Sequence, residues 1–180
     1  NMRWADFSDC LFEIADAAGI EMIYFVGSFG GAVPHTREPR FYSAVSREEL
    51  KEPLAQFGVN FSDYEGPGSF STWMLKVAAD RGMDMATIVA EIPAYVQGRN
   101  PKSIEAVLRK FSAVLGLNLE LQPLREDTDI WERKLNEAVE ERDDLLEHIQ
   151  QLEQDYDNEV FDTQMGDLKN WLKQRGVRLD

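Results

Sequence analysis

Cysteine is almost absent from this chain. Cys10 is its one cysteine, which excludes an intrachain disulfide and fits a reducing compartment. Long apolar runs are also missing: none approaches the roughly 20 residues that a membrane-spanning helix needs. The opening Asn1-Met-Arg-Trp-Ala-Asp-Phe7 has no basic segment leading into an apolar core, as a secretory signal would. These absences lead to the expectation of a cytoplasmic protein with no membrane partner. Positive charge is scarce, with 19 Lys+Arg against 33 Asp+Glu and a formal net charge of -14. Such a surface repels phosphate backbones, so no nucleic-acid partner is expected. The only histidines, His35 and His148, lie far from each other and from Cys10, so a Cys/His metal site is not expected. Gly-x-Ser-x-Gly, the Walker loop and His-Glu-x-x-His are all missing. No catalytic residue, metal or cofactor is therefore assigned, and the reading leans away from an enzyme.

What remains is the composition of a folded domain. A hydrophobic fraction of 43% and a charged fraction of 29% are ordinary for a globular protein, and 180 residues suffice for one well-buried core and an appendage. From Trp4 to Ala18 the apolar positions Phe7, Leu11, Ile14 and Ala18 mark one face of a helix. Gly19 ends it, and Ile20 to Val26 reads as a buried strand. A helix feeding a strand is half of an α/β unit and implies an earlier partner strand. The first residue is Asn1, so a fragment or processed form is expected, with its first strands missing or supplied by another chain. Ser46 and Glu49 form a capping-box pattern that predicts a helix to about Phe57, followed by a short edge strand over Val59–Phe61. A helix is predicted over Ser69–Asp80, a central strand over Met85–Glu91, and a helix from Lys102 to Leu115 ended by Gly116. Pro123 reads as the linker, dividing residues 1–123, an α/β core, from residues 124–180.

Residues 124–180 carry 17 acidic and 8 basic side chains. Trp131, Leu135, Ala138, Arg142, Leu145, Ile149, Leu152 and Tyr156 alternate by four and three residues, an a/d seam of roughly 38 Å if fully helical. Asp155-Tyr-Asp-Asn158 should weaken the helix, and a second stripe follows at Phe161, Met165, Leu168 and Leu172. The economical expectation is an acidic antiparallel helical hairpin whose short last helix folds back. An intermolecular coiled coil with Arg142 setting register is the rival. Six of the eleven residues from Glu137 to Glu147 are acidic, with like charges four apart on the helix. Either this face is simply solvated, or it meets a basic partner or a basic surface of the same molecule.

Candidate chemistry concentrates in Gly27-Ser-Phe-Gly-Gly-Ala-Val-Pro-His-Thr-Arg-Glu-Pro-Arg40, expected to form a loop over the end of a strand. Gly30 and Gly31 give it shape, but Gly-x-x-Gly-Gly is not the dinucleotide fingerprint. His35, Arg37 and Arg40 suit a carboxylate or phosphate, or the arginines pair with Glu38 and other carboxylates nearby. Gly66-Pro-Gly68-Ser69 stands before a helix N-terminus, where free N–H groups favour an anion. The simpler reading, capping by Ser69 or Ser71, is preferred. Glu91 ends the second central strand, in a position where α/β proteins often place functional groups, though Glu91-Ile-Pro-Ala-Tyr95 equally serves as an exit from the sheet.

Several blocks occur in a recognisable order: the glycine loop, Pro34-His-Thr-Arg-Glu-Pro-Arg40, Val45-Ser-Arg-Glu-Glu-Leu50, Tyr64-Glu-Gly-Pro-Gly68, and Ala90-Glu-Ile-Pro-Ala-Tyr-Val-Gln-Gly-Arg-Asn-Pro-Lys102. From about Ile20 to the acidic tail the chain resembles the proteasome-assembly-chaperone-two family. The resemblance implies a three-layer α/β/α core like that of nucleoside phosphorylases and related hydrolases, homo-oligomers, and roughly a hundred residues before the present first one. Prokaryotic relatives often carry an ATP-grasp-like label, which no nucleotide-binding element here supports. Eukaryotic and archaeal relatives help assemble proteasome α-subunits, some through a C-terminal hydrophobic-Tyr-any motif. Here Leu179 stands where that tyrosine would be, so docking by that route is not expected, and a bacterial relative of unknown role is. The expected function is that of a non-catalytic, oligomeric, proteasome-assembly-chaperone-like protein acting through protein contacts. The alternative is a small-molecule enzyme or binder with an anionic ligand held by the glycine loop, His35, Arg37 and Glu91.

Overall fold

Glycines set the two helix-to-strand junctions on which the sheet is built. The computed structural model describes residues 3–61 and 68–175. In it helix α1, Trp4–Ala18, ends at Gly19 (φ 64°), and helix α3, Phe70–Arg81, ends at Gly82 (φ 69°). This left-handed conformation suits glycine because a Cβ would clash there. The closures are alike, with Ile20 N–H donating to Ala15 O and Met83 N–H to Ala78 O, both at 2.9 Å. Each junction launches a ten-residue strand: β1, Met22–Gly31, and β4, Asp84–Pro93. The two run parallel, from Met22 opposite Asp84 to Gly31 opposite Pro93. β2, Phe41–Ser43, lies antiparallel on the other side of β4, and β3, Asn60–Phe61, pairs parallel with β2. The spatial order is β1-β4-β2-β3. β4 is thus central, as its unbroken apolar stretch predicts.

The sheet has helices on both sides. One core holds Phe41, Leu54, Val59, Ala86, Ile88, Ala90 and Ala106, with Phe111 and Val114 of α4, Pro101–Leu115, packed against it. The other holds Phe12 of α1, Met74, Leu75 and Ala78 of α3, and Met85. Alternate residues of β4 serve opposite faces, as strand geometry requires. Among the described residues, no helix is long and apolar enough to cross a membrane.

Several expectations are corrected. The stripe Phe7–Leu11–Ile14 is not the packed face of α1: Ser8, Phe12 and Ala15 are buried, while Phe7 and Ile14 are 54% and 67% exposed. Of that stripe, Phe7 meets the Phe70 ring edge-on at 5.5 Å between centroids and Leu11 packs partly beside the α1–α3 core, while Ile14 stays exposed. Gly27–Gly31 belong to β1 rather than to a loop, because parallel pairing with β4 carries the strand to Pro93. Ser46 caps no helix. Its hydroxyl donates to Met83 O and accepts from Met85 N–H, so it serves the sheet. The helix expected there begins only as a short 3-10 turn at Glu48–Leu50, continued by α2, Lys51–Ala55. Pro123 lies in the first turn of α5, Gln122–Glu140, where a missing N–H costs nothing.

The tail breaks elsewhere than expected. Arg142 sits not within a continuous seam but at the N-terminal boundary of α6, Asp143–Gln174, with extended backbone (φ -136°, ψ 105°). The acidic residues around it repel one another along any continuous helix. Asp155–Asn158 stays helical: Asp157 pairs with Arg37, Tyr156 packs under Arg40, and Asp155 accepts from Gln151 one turn earlier. Among the described residues no short last helix folds back: Phe161 and Leu168 lie on α6 and are 61% and 47% exposed.

Candidate functional site

The segment after β1 crosses the C-terminal end of β4, and three features fix its path. Ala32 N–H donates to Glu91 Oε1 at 2.8 Å. Glu91 N–H donates to Arg40 O at 2.8 Å, closing the far end of the segment on the same residue. Gly31 leaves the room that the Glu91 carboxylate occupies, since a Cβ there would collide with it. Gly30 is only crowded, an added Cβ falling 3.3 Å from Ala94 Cα. Of the two glycines, Gly31 is the one needed for space. Glu91 is 6% exposed and its other oxygen accepts from Arg40 Nη1 at 3.4 Å, so the buried charge is compensated.

His35 is 1% exposed and fully engaged. Its backbone N–H donates to Tyr95 Oη at 2.8 Å, its Nδ1 lies 2.7 Å from that oxygen, and its Nε2 lies 2.9 Å from Asn136 Oδ1. An amide oxygen only accepts, so Nε2 carries the proton, and Nδ1 then accepts from the Tyr95 hydroxyl. Burial lowers the His35 pKa, the Asn136 hydrogen bond and Glu132 oppose this, Lys102 reinforces it and Glu153 opposes it. Burial also pushes the Tyr95 hydroxyl up to about 12, so it remains a donor. Lys102 Nζ donates to His35 O at 2.7 Å and pairs with Glu132 at 3.1 Å.

The next residues grip α6. Thr36 donates to Glu153. Arg37 bonds both oxygens of Asp157 at 2.8 Å through Nε and Nη2, and reaches Glu153 at 3.3 Å. Arg40 Nη2 donates to Glu159 at 2.7 Å, with its guanidinium 4.3 Å from the centre of the Tyr156 ring. Tyr156 Oη donates to Glu38 O at 3.1 Å. The segment therefore works as a clamp that ties the end of the sheet to α5 and α6.

His35, Arg37, Arg40, Glu91, Gly30 and Gly31 thus gather at one end of the sheet, but His35 and Arg37 face the C-terminal helices while Glu91 lies beneath the strand end. Ser69 stands apart as the N-cap of α3, accepting from Thr72 N–H at 3.2 Å. Gly68 precedes it with open space at its Cα, and Gly66 lies outside the described residues. Tyr95, Asn136, Lys102, Glu153, Asp157 and Glu159 escaped sequence reasoning. A trace of two of them was present: Glu153 and Asp157 are four apart, hence on one helix face, and Arg37 supplies the matching base. The acids from Glu137 to Glu147 do not take that part; among the described residues their ion pair is the local Arg142–Asp144 contact at 2.5 Å. Among the described residues, no group of three or more His, Cys, Asp or Glu is placed to hold a metal ion.

Comparison with known proteins adds a family. The family model described as PAC2 family matches residues 1–139. The chain belongs to the PAC2 family. A search of curated proteins finds no match. Among solved structures, a Corynebacterium glutamicum protein of unknown function is 27% identical with a TM-score of 0.77, covering 89% of this chain and 59% of that one. A Mycobacterium tuberculosis protein of unknown function has a TM-score of 0.82 at 23% identity, covering 93% of this chain and 56% of its own. A Mycobacterium tuberculosis proteasome-assembly chaperone homologue is 29% identical with a TM-score of 0.71, covering 83% and 62%. The chain thus spans 56–62% of the length of these PAC2-like structures. The resemblance to proteasome-assembly chaperones seen in the sequence therefore holds, as does the mixed α/β fold.

Proposed function

We propose that this chain is part of a non-catalytic, homo-oligomeric PAC2 protein that promotes proteasome assembly through protein contacts in the cytoplasm. The observation that carries the proposal is the match of the family model over residues 1–139, reinforced by likeness to a proteasome-assembly chaperone homologue. Residues 124–180 form its contact module. α6 is held to the core by one acidic face and leaves its remaining surface open to a partner with basic side chains. The core completes a three-layer phosphorylase/hydrolase-like arrangement in the whole protein. The chemistry at the strand end supports a scaffold, since His35 has both ring nitrogens engaged and Glu91 both oxygens.

The test is to mix the whole protein with proteasome α-subunits from the same source and follow assembly by native mass spectrometry across salt concentrations. A complex that forms at low salt, weakens as salt rises and speeds assembly is the expected result. Absence of both complex and acceleration at every salt concentration refutes the proposal.

A further inference from the structure

A cleft of about 490 Å³ opens beside the clamp, lined by Arg40, Phe41, Phe57, Arg109, Lys110 and Tyr156 among others. Its volume lies within the range of small-molecule sites. Phe41 and Phe57, with Ala106 and Ala113 of α4, give it an apolar floor. Three cations and one acid, Glu38, line it, and two of the cations are already neutralised: Arg40 by Glu91 and Glu159, Arg109 by Glu38 and Glu105.

Lys110 differs. Its ammonium donates to the backbone carbonyls of Phe57 and Gly58 and lies 4.8 Å from the centre of the Phe41 ring. Among the described residues it has no carboxylate within 4.0 Å. Two carbonyls take two of its three N–H bonds and bring only partial negative charge. Burial, followed by repulsion from Arg109, lowers its pKa, and the Glu38 charge opposes this. A half-buried cation that touches no described carboxylate, and feels Glu38 only from beyond contact distance, has room for one anion at close range.

We propose that this cleft binds a small aromatic molecule bearing one oxyanion, a carboxylate or a phosphate, with the anion on Lys110 and the ring on the Phe57–Ala106–Ala113 floor. The proposal does not depend on the role in proteasome assembly. It also places the anion away from His35 and Arg37, whose hydrogen bonds are spent on α5 and α6.

The test is calorimetric titration of the whole protein with phenyl phosphate, benzoate, phenol and inorganic phosphate. Saturable binding of phenyl phosphate or benzoate is expected, with phenol and inorganic phosphate each at least about tenfold weaker. The tighter of the first two identifies the anion. Lys110→Gln should weaken binding about tenfold or more, the usual worth of a charge-assisted hydrogen bond. Ala113 is at the exposed edge of that floor, so Ala113→Trp fills the cleft without disturbing the core, and it should abolish binding with the circular dichroism spectrum intact. Failure of both aromatic anions to saturate the protein overturns the proposal. So does unchanged affinity in Ala113→Trp, or inorganic phosphate binding as tightly as phenyl phosphate.

Discussion

The sheet core and the clamp are built from opposite materials. Around β4 the buried residues are apolar: Met85, Ala86, Ile88 and Ala90 are each no more than 1% exposed, and their contribution is area removed from water. The clamp at the C-terminal end of the same strand is polar, buried in part, and held by a neutral histidine, a buried carboxylate and arginine–carboxylate pairs. The first kind of contact tolerates salt and pH. The second depends on protonation states and on ionic screening. The protein thus has one region whose integrity is nearly condition-independent and another that responds to its surroundings, and the responsive one holds the C-terminal helices.

Perturbations of increasing subtlety should separate the two. Ile88→Ala, at a fully buried position of the central strand, should cost about 2–5 kcal/mol in urea unfolding, with little change between low and high salt. Gly31→Ala should cost about 1–3 kcal/mol, because the new Cβ displaces the Glu91 carboxylate from Ala32 N–H. A loss confined to a few tenths would show that Glu91 has another place to go.

The pH response should come next in size. The His35 pKa is lowered in the folded chain from its ordinary 6.5, so the unfolded chain takes up its proton first as pH falls. The stability from neutral His35 is full above pH 6.5 and is lost as pH drops below that value through the folded pKa. Protonation of Nδ1 also removes the acceptor that the Tyr95 hydroxyl uses. Unfolding measured from pH 8 to 5 should show this decline, and His35→Gln should flatten it. The smallest effect is expected for Arg37→Ala, which removes the contacts to Glu153 and Asp157. Global stability should barely move, while amide exchange in α6 rises and α5, still held through Asn136, stays protected. Loosening of both helices together would show that they dock as one unit.

The same contrast explains what could be seen in advance. β4, α3 and α4 were legible because their signals are local: an apolar run, a Ser69 cap and glycine stops. The α1 stripe and the a/d seam were periodic but misleading. Periodicity reports that a helix has an apolar face, whereas which face packs depends on what the fold brings opposite. Phe7 and Ile14 outrank Ser8 and Ala15 in hydrophobicity, yet the smaller residues are the ones buried. At the clamp, the sequence drew attention to His35, Arg37, Arg40 and Glu91, but their partners lie 51 to 120 residues away.

By itself, then, the sequence determined the α/β class, the helix stops, the central strand, the acidic tail and membership of the PAC2 family. Each follows from short-range order or from blocks in a fixed succession. Only the tertiary structure decided that the segment from Ala32 to Arg40 clamps α5 and α6, that Arg142 marks a break, and that Lys110, among the described residues, faces the cleft with no carboxylate within 4.0 Å. These depend on charges and hydrogen-bonding groups distant in the chain, and a polar group's role is set by the partner that meets it in space.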